Sequence, residues 1–76
     1  MRVYLELIEV LPPGSAKAPD FIRIDVTGWS QEDINAAIQL LRQQAQVYQA
    51  YVLRVHHCRH DEGRPCSFTL LDSRQG

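Results

Sequence analysis

The sequence predicts an α+β fold in which four strands and one helix run in the order β-β-α-β-β, the helix lying on one face of a mostly antiparallel sheet. Three features carry that expectation. Residues 2–10 and 20–27 alternate apolar and polar types, residues from about 30 to 48 repeat their apolar positions with a helical period, and a second pair of strand-like runs lies within about 50–72. The 76 residues leave room for one domain, spanning 1–76. A domain this small buries only about 60% of the surface its unfolded chain exposes, so it leans on a well-used core or on self-association.

The first run places Val3, Leu5 and Leu7 on one pleat face and Tyr4, Glu6, Ile8 and Val10 on the other. Between residues 11 and 19, Pro12, Pro13 and Pro19 remove backbone donors and Gly14 adds a flexible point, so a loop is expected there. The second strand turns Ile22, Ile24 and Val26 one way and Phe21, Arg23, Asp25 and Thr27 the other. Ser30 followed by Asp33 predicts a helix N-cap, and Trp29 and Ile34 have the spacing of a hydrophobic staple across it. Ile34, Ala37, Ile38, Leu41, Ala45 and Tyr48 form the stripe that should pack on the sheet. The third strand, residues 50–58, directs Tyr51, Leu53 and Val55 inward, and a turn at Asp61-Glu62-Gly63-Arg64 leads to a fourth strand at 67–72.

The register of that last hairpin has two solutions. One, with a short Glu62-Gly63 turn, sets Val55 opposite Leu70 and His57 opposite Phe68; it buries Phe68 and Leu70 and puts Cys58 and Cys66 on opposite faces. The other, with a three-residue turn, faces Cys58 with Cys66 but turns Phe68 and Leu70 away from the core. Burial of two large apolar side chains favours the first. It also places His57 beside Phe68, where desolvation and the neighbouring arginines should make stability fall as pH drops from about 7 to 5.

Eight Lys and Arg against nine Asp and Glu give a net charge of −1, which argues against general binding to polyanions or anionic membranes. No apolar run approaches the roughly 20 residues of a membrane span. Glu6 and Glu9 interrupt any signal-peptide core, so the reading is a cytoplasmic chain with Cys58 and Cys66 reduced.

Candidate chemistry is sparse. A soft divalent metal would accept His56, Cys58, His60 and Cys66, but Cys58 and His60 are closely spaced and Cys66 stands alone, so no metal and no other cofactor is expected. The sequence carries no nucleophile elbow and no phosphate loop, which argues against an enzyme. The helix offers more. Ala36, Leu40 and Val47 form a second apolar line about 120 degrees from the first, flanked by uncharged Gln and Asn, so one sheet cannot cover the whole apolar arc.

The expected function is therefore a protein-interaction module, binding a partner or a second copy through Ala36, Leu40 and Val47 and through Tyr4, Ile8 and Val52 on the open sheet face. Leu40→Glu is expected to disperse such an assembly without unfolding it. The alternatives are an RNA or polar-ligand binder using Arg23, Arg54 and His56 on that open face, although nucleic acid suits the charge balance poorly, or a metal-binding hairpin through His56, Cys58, His60 and Cys66.

Overall fold

In a computed structural model covering residues 1–76, the alternating runs form β1 (Arg2–Glu9), β2 (Phe21–Asp25), β3 (Tyr51–Cys58) and β4 (Ser67–Arg74). The helical segment forms α1 (Gln31–Ala45), and a single 3-10 turn (His60–Glu62) lies between β3 and β4. The strands pair in the order β2-β1-β3-β4, every neighbour antiparallel. β2 and β3 are thus parallel to each other on either side of β1, and α1 is the crossover that carries the chain across the sheet. No helix is long and apolar enough to cross a membrane.

The core lies between α1 and one face of the sheet. Leu5 and Leu7 from β1, Tyr51 and Leu53 from β3, and Val26 just after β2 meet Ala37, Leu41, Ala45 and Tyr48. The small side chains of Ala37 and Ala45 leave space for the larger residues of the sheet opposite them. Ser30 caps the helix as expected, its Oγ accepting from Asp33 N at 3.1 Å, and Glu32 and Asp33 complement the positive end of the helix dipole.

The C-terminal end departs from the sequence reading. α1 stops at Ala45, so Val47 and Tyr48 lie beyond it although they continue its apolar period. The last turn closes through tighter bonds, from Gln46 N to Gln43 O, Val47 N to Gln44 O and Tyr48 N to Ala45 O, and the Arg74 guanidinium braces it by donating to the carbonyls of Ala45, Gln46 and Tyr48. The Ala45 carbonyl thus accepts from Tyr48 N at 3.1 Å as well, and the cation adds a charged donor to the negative end of the helix dipole.

The hairpin register is also corrected. Near the turn His57 faces Ser67, His56 faces Phe68 and Arg54 faces Leu70, whereas further along Leu53 faces Asp72 and Tyr51 faces Arg74. The shift between Leu53 and Arg54 leaves Leu71 as the extra residue of a β-bulge. The bulge reconciles the two alternatives. Leu71 reaches the core side and packs there, while Phe68 and Leu70 remain on the open face. Phe68 is held outside by stacking, its ring 4.6 Å from that of His56 and 4.1 Å from the Arg54 guanidinium carbon. The turn is longer than expected, a 3-10 turn closed by Gly63 at φ 67°, a conformation glycine adopts without strain. Cys58 and Cys66 consequently share a face, and His57, half-buried opposite Ser67, does not meet Phe68. The acid-side instability assigned to His57 loses its structural premise.

Candidate functional site

The open face of the sheet is built around a buried carboxylate. Glu6 lies on the central strand β1, between Arg23 on β2 and Arg54 on β3, and is 0% exposed. Its Oε1 accepts from Arg54 Nε at 2.8 Å. Its Oε2 accepts from Arg23 Nε at 2.9 Å and Nη2 at 2.8 Å, and is 3.0 Å from His56 Nδ1. Burial would push the Glu6 carboxyl up, but the hydrogen bonds from His56, Arg54 and Arg23 together outweigh it and hold its pKa below the usual carboxylate range. The three residues proposed as a polar-ligand face are thus brought together, and their donors converge on Glu6.

Aromatic rings fix the same cations from the sides. The Arg23 guanidinium carbon lies 4.7 Å from the Tyr4 ring centre and 5.4 Å from that of Phe21. The rings of Tyr4, His56 and Phe68 follow one another across β1, β3 and β4, the first two 5.5 Å apart. A half-exposed carpet of rings and guanidinium planes results, in which each arginine gains both a carboxylate partner and a π face. Sequence reasoning assigned Glu6 to this face but missed its burial. The available signal was a lone arginine midway along each strand that flanks it.

Towards the other end of the sheet the face becomes apolar. Ile8 and Val52 face each other here, half-buried like Tyr4 at the polar end, and Leu70 is among the most exposed large apolar residues of the chain. A groove of about 530 Å³, lined in part by Val10, Pro12, Pro13, Val52 and Leu70, continues the patch. On the opposite side of the molecule Leu40 and Val47 are 65% and 72% exposed and Ala36 is exposed as well, but Val47 stands past the helix end. Ala36 and Leu40 line a shallow depression with Trp29 and Ile24 instead of forming one line with Val47.

Two of the three histidines, His56 and His60, gather with both cysteines where the sequence suggested that they would stay apart, while His57 faces the other way. A ring nitrogen of His56 and the sulfurs of Cys58 and Cys66 lie within 4.8 Å of one another. The exposed His60 ring sits between the sulfurs, Nδ1 3.5 Å from Cys58 Sγ and Nε2 3.5 Å from Cys66 Sγ. Cys66 does not stand alone because the register near the turn sets it across from Cys58.

Comparisons with family models, curated proteins and solved structures give no match for this chain.

Proposed function

We propose that the protein is a small non-enzymatic interaction module that pairs with a second copy of itself along β4 and the adjoining open face. The observation that carries this reading is the placement of Phe68 and Leu70, 51% and 61% exposed, on an eight-residue edge strand with no neighbour on its outer side. Such a strand presents a row of free backbone donors and acceptors and invites another strand. Its half nearest the turn, Ser67–Leu70, contains no charge and no proline. The charged residues beyond are already used, Asp72 by Tyr51 and Arg74 by the end of α1.

A second copy is the occupant because antiparallel pairing of two identical edges is self-complementary and closes with twofold symmetry. The groove beside Leu70 extends the apolar area available to it. The residues best suited to acid–base work, Glu6 and His56, are tied to each other and to arginines in a mostly buried network, which supports a binding role over a catalytic one.

Light scattering after size exclusion tests the reading over a concentration series. The expected mass is twice 8.7 kDa at high concentration. Leu70→Glu buries an uncompensated carboxylate in each half of the contact and should weaken the dimer by about 3 kcal/mol, roughly 100-fold in Kd. Leu40→Glu should leave it intact. A monomer at every concentration overturns the proposal, and a dimer dispersed by Leu40→Glu alone moves the interface to Ala36, Leu40 and Val47. Salt-dependent binding of single-stranded RNA, lost in Arg54→Ala, would favour the polar-ligand alternative.

A further inference from the structure

We infer that the end of the β3–β4 hairpin is a zinc(II) site whose ligands are Cys58, Cys66, His56 and His60, independently of how the sheet face associates. Two soft sulfur and two imidazole donors form the ligand chemistry zinc prefers in closed, tetrahedral sites. Zinc–sulfur bonds of about 2.3 Å and zinc–nitrogen bonds of about 2.0 Å place neighbouring ligand atoms roughly 3.3–3.8 Å apart. The His56, Cys58 and Cys66 donor atoms already lie within 4.8 Å of one another, so closure requires side-chain rotation without rebuilding the backbone. His60, exposed on the 3-10 turn and 3.5 Å from either sulfur, supplies the fourth donor by turning one nitrogen towards the ion.

Two further observations point to a ligand at this place. His56 Nε2 is buried and has no hydrogen-bond partner, although buried polar atoms nearly always have one. Its other nitrogen, Nδ1, is 3.0 Å from the carboxylate of Glu6. A carboxylate accepting from Nδ1–H selects the tautomer whose Nε2 carries a free lone pair, and it orients the ring. This is the outer-shell arrangement that metal-bound histidines use. Glu6 is therefore a positioning residue here, held in turn by Arg23 and Arg54.

The charge balances as well. On coordination both thiols lose their protons to solvent, and the two thiolates cancel the charge of the dication, so the site becomes neutral. The acidic residues of the turn are already engaged, Asp61 and Glu62 lying 2.9 and 3.6 Å from the N-terminal amine. Both cysteines are free thiols, as coordination requires.

The test is titration of the full chain, stripped with a chelator and kept under a phosphine reductant, with cobalt(II) as the spectroscopic probe and then with zinc. One cobalt per chain should give the intense visible bands of a tetrahedral thiolate site, and one equivalent of zinc should bleach them. Cys58→Ser and Cys66→Ser should each abolish the thiolate-to-cobalt absorption, and His56→Gln should weaken zinc binding by about 100-fold or more. Circular dichroism of the metal-free variants checks the fold, which Ser at two half-exposed positions leaves intact. A cobalt spectrum of weak octahedral type, undiminished affinity in either Ser variant, or an intramolecular disulfide that persists under the reductant overturns the inference.

Discussion

Glu6 concentrates the electrostatics of the molecule in one carboxylate. Removing its charge while keeping its shape, in Glu6→Gln, leaves Arg23 and Arg54 facing a neutral amide. Both guanidiniums are partly exposed and can turn to water, which limits the cost; a loss of about 1–3 kcal/mol is expected. Urea denaturation of the metal-free chain checks this, and an unchanged midpoint would mean that burial of the carboxylate cancels what its partners contribute. The pleat alternation correctly assigned Glu6 to the outer face. Its burial was legible only through the strand order, because it depends on two arginines, one midway along each flanking strand, that come within reach once β2 and β3 flank β1.

Tyr51 and Asp72 give a second residue-scale expectation, with opposite signs at the two ends of the pH scale. The Tyr51 hydroxyl donates to Asp72 Oδ2 at 2.7 Å. That bond holds the Asp72 carboxyl below its usual value, so this part of the stability is present above about pH 4 and lost as pH falls through the lower folded value. The same bond, with burial, raises the Tyr51 hydroxyl above its usual value near 10. The folded chain then holds that proton more tightly than the unfolded one, and stability falls as pH rises from about 10 towards the folded value. Tyr51→Phe should cost about 1 kcal/mol at neutral pH and flatten both arms. Chemical denaturation at about pH 3, 7 and 10.5 reads all three effects; equal losses in parent and variant at both extremes would assign them elsewhere.

At the scale of elements, α1 and β4 are coupled through Arg74. Its guanidinium lies 5.3 Å from the Tyr51 ring centre and donates to three carbonyls around the helix end. Arg74→Ala should therefore cost about 1–2 kcal/mol, with faster amide exchange confined to the last turn of α1 and the segment to Tyr48. Uniform acceleration over the whole chain would instead mean that Arg74 supports the global fold. This coupling explains which boundaries could be read from the sequence. The start of the helix is a local signal, Ser30 with Asp33, and it was legible. The end has no comparable local signal, its last turn tightening through backbone bonds and being braced by a residue of β4, so apolar periodicity alone ran on to Tyr48. The register of β4 was hidden for a related reason: Phe68, Leu70 and Leu71 are all apolar, one register turns Phe68 and Leu70 inward and the other Leu71, and alternation alone does not announce the bulge that sets Asp72 and Arg74 opposite Leu53 and Tyr51. The cysteine and histidine cluster follows that register, so it too was beyond reach of spacing arguments.

The whole molecule is a slab of 38 × 29 × 16 Å with a single helix on one side. Its radius of gyration is 13.4 Å, where a compact chain of this length would have about 11 Å. Its accessible surface is 5197 Å², against roughly 4700 Å² for a typical monomer of 8.7 kDa. Only 11 of the 76 residues are buried, so the isolated chain stands close to the limit of stability for its size. Pairing along β4 would cover surface that the helix leaves open, and folding would then be linked to concentration, because only the folded chain associates. Taking an unfolding enthalpy of about 0.7 kcal/mol per residue for each of two chains, a dimer that melts directly to unfolded monomers should gain about 4–5 °C in Tm for each tenfold rise in concentration. Leu70→Glu should abolish that slope and Leu40→Glu should keep it. Calorimetry over a hundredfold range, with a chelator present so that metal does not contribute, measures both; a Tm independent of concentration in the parent chain would mean that the slab folds alone and that the β4 edge stays solvated.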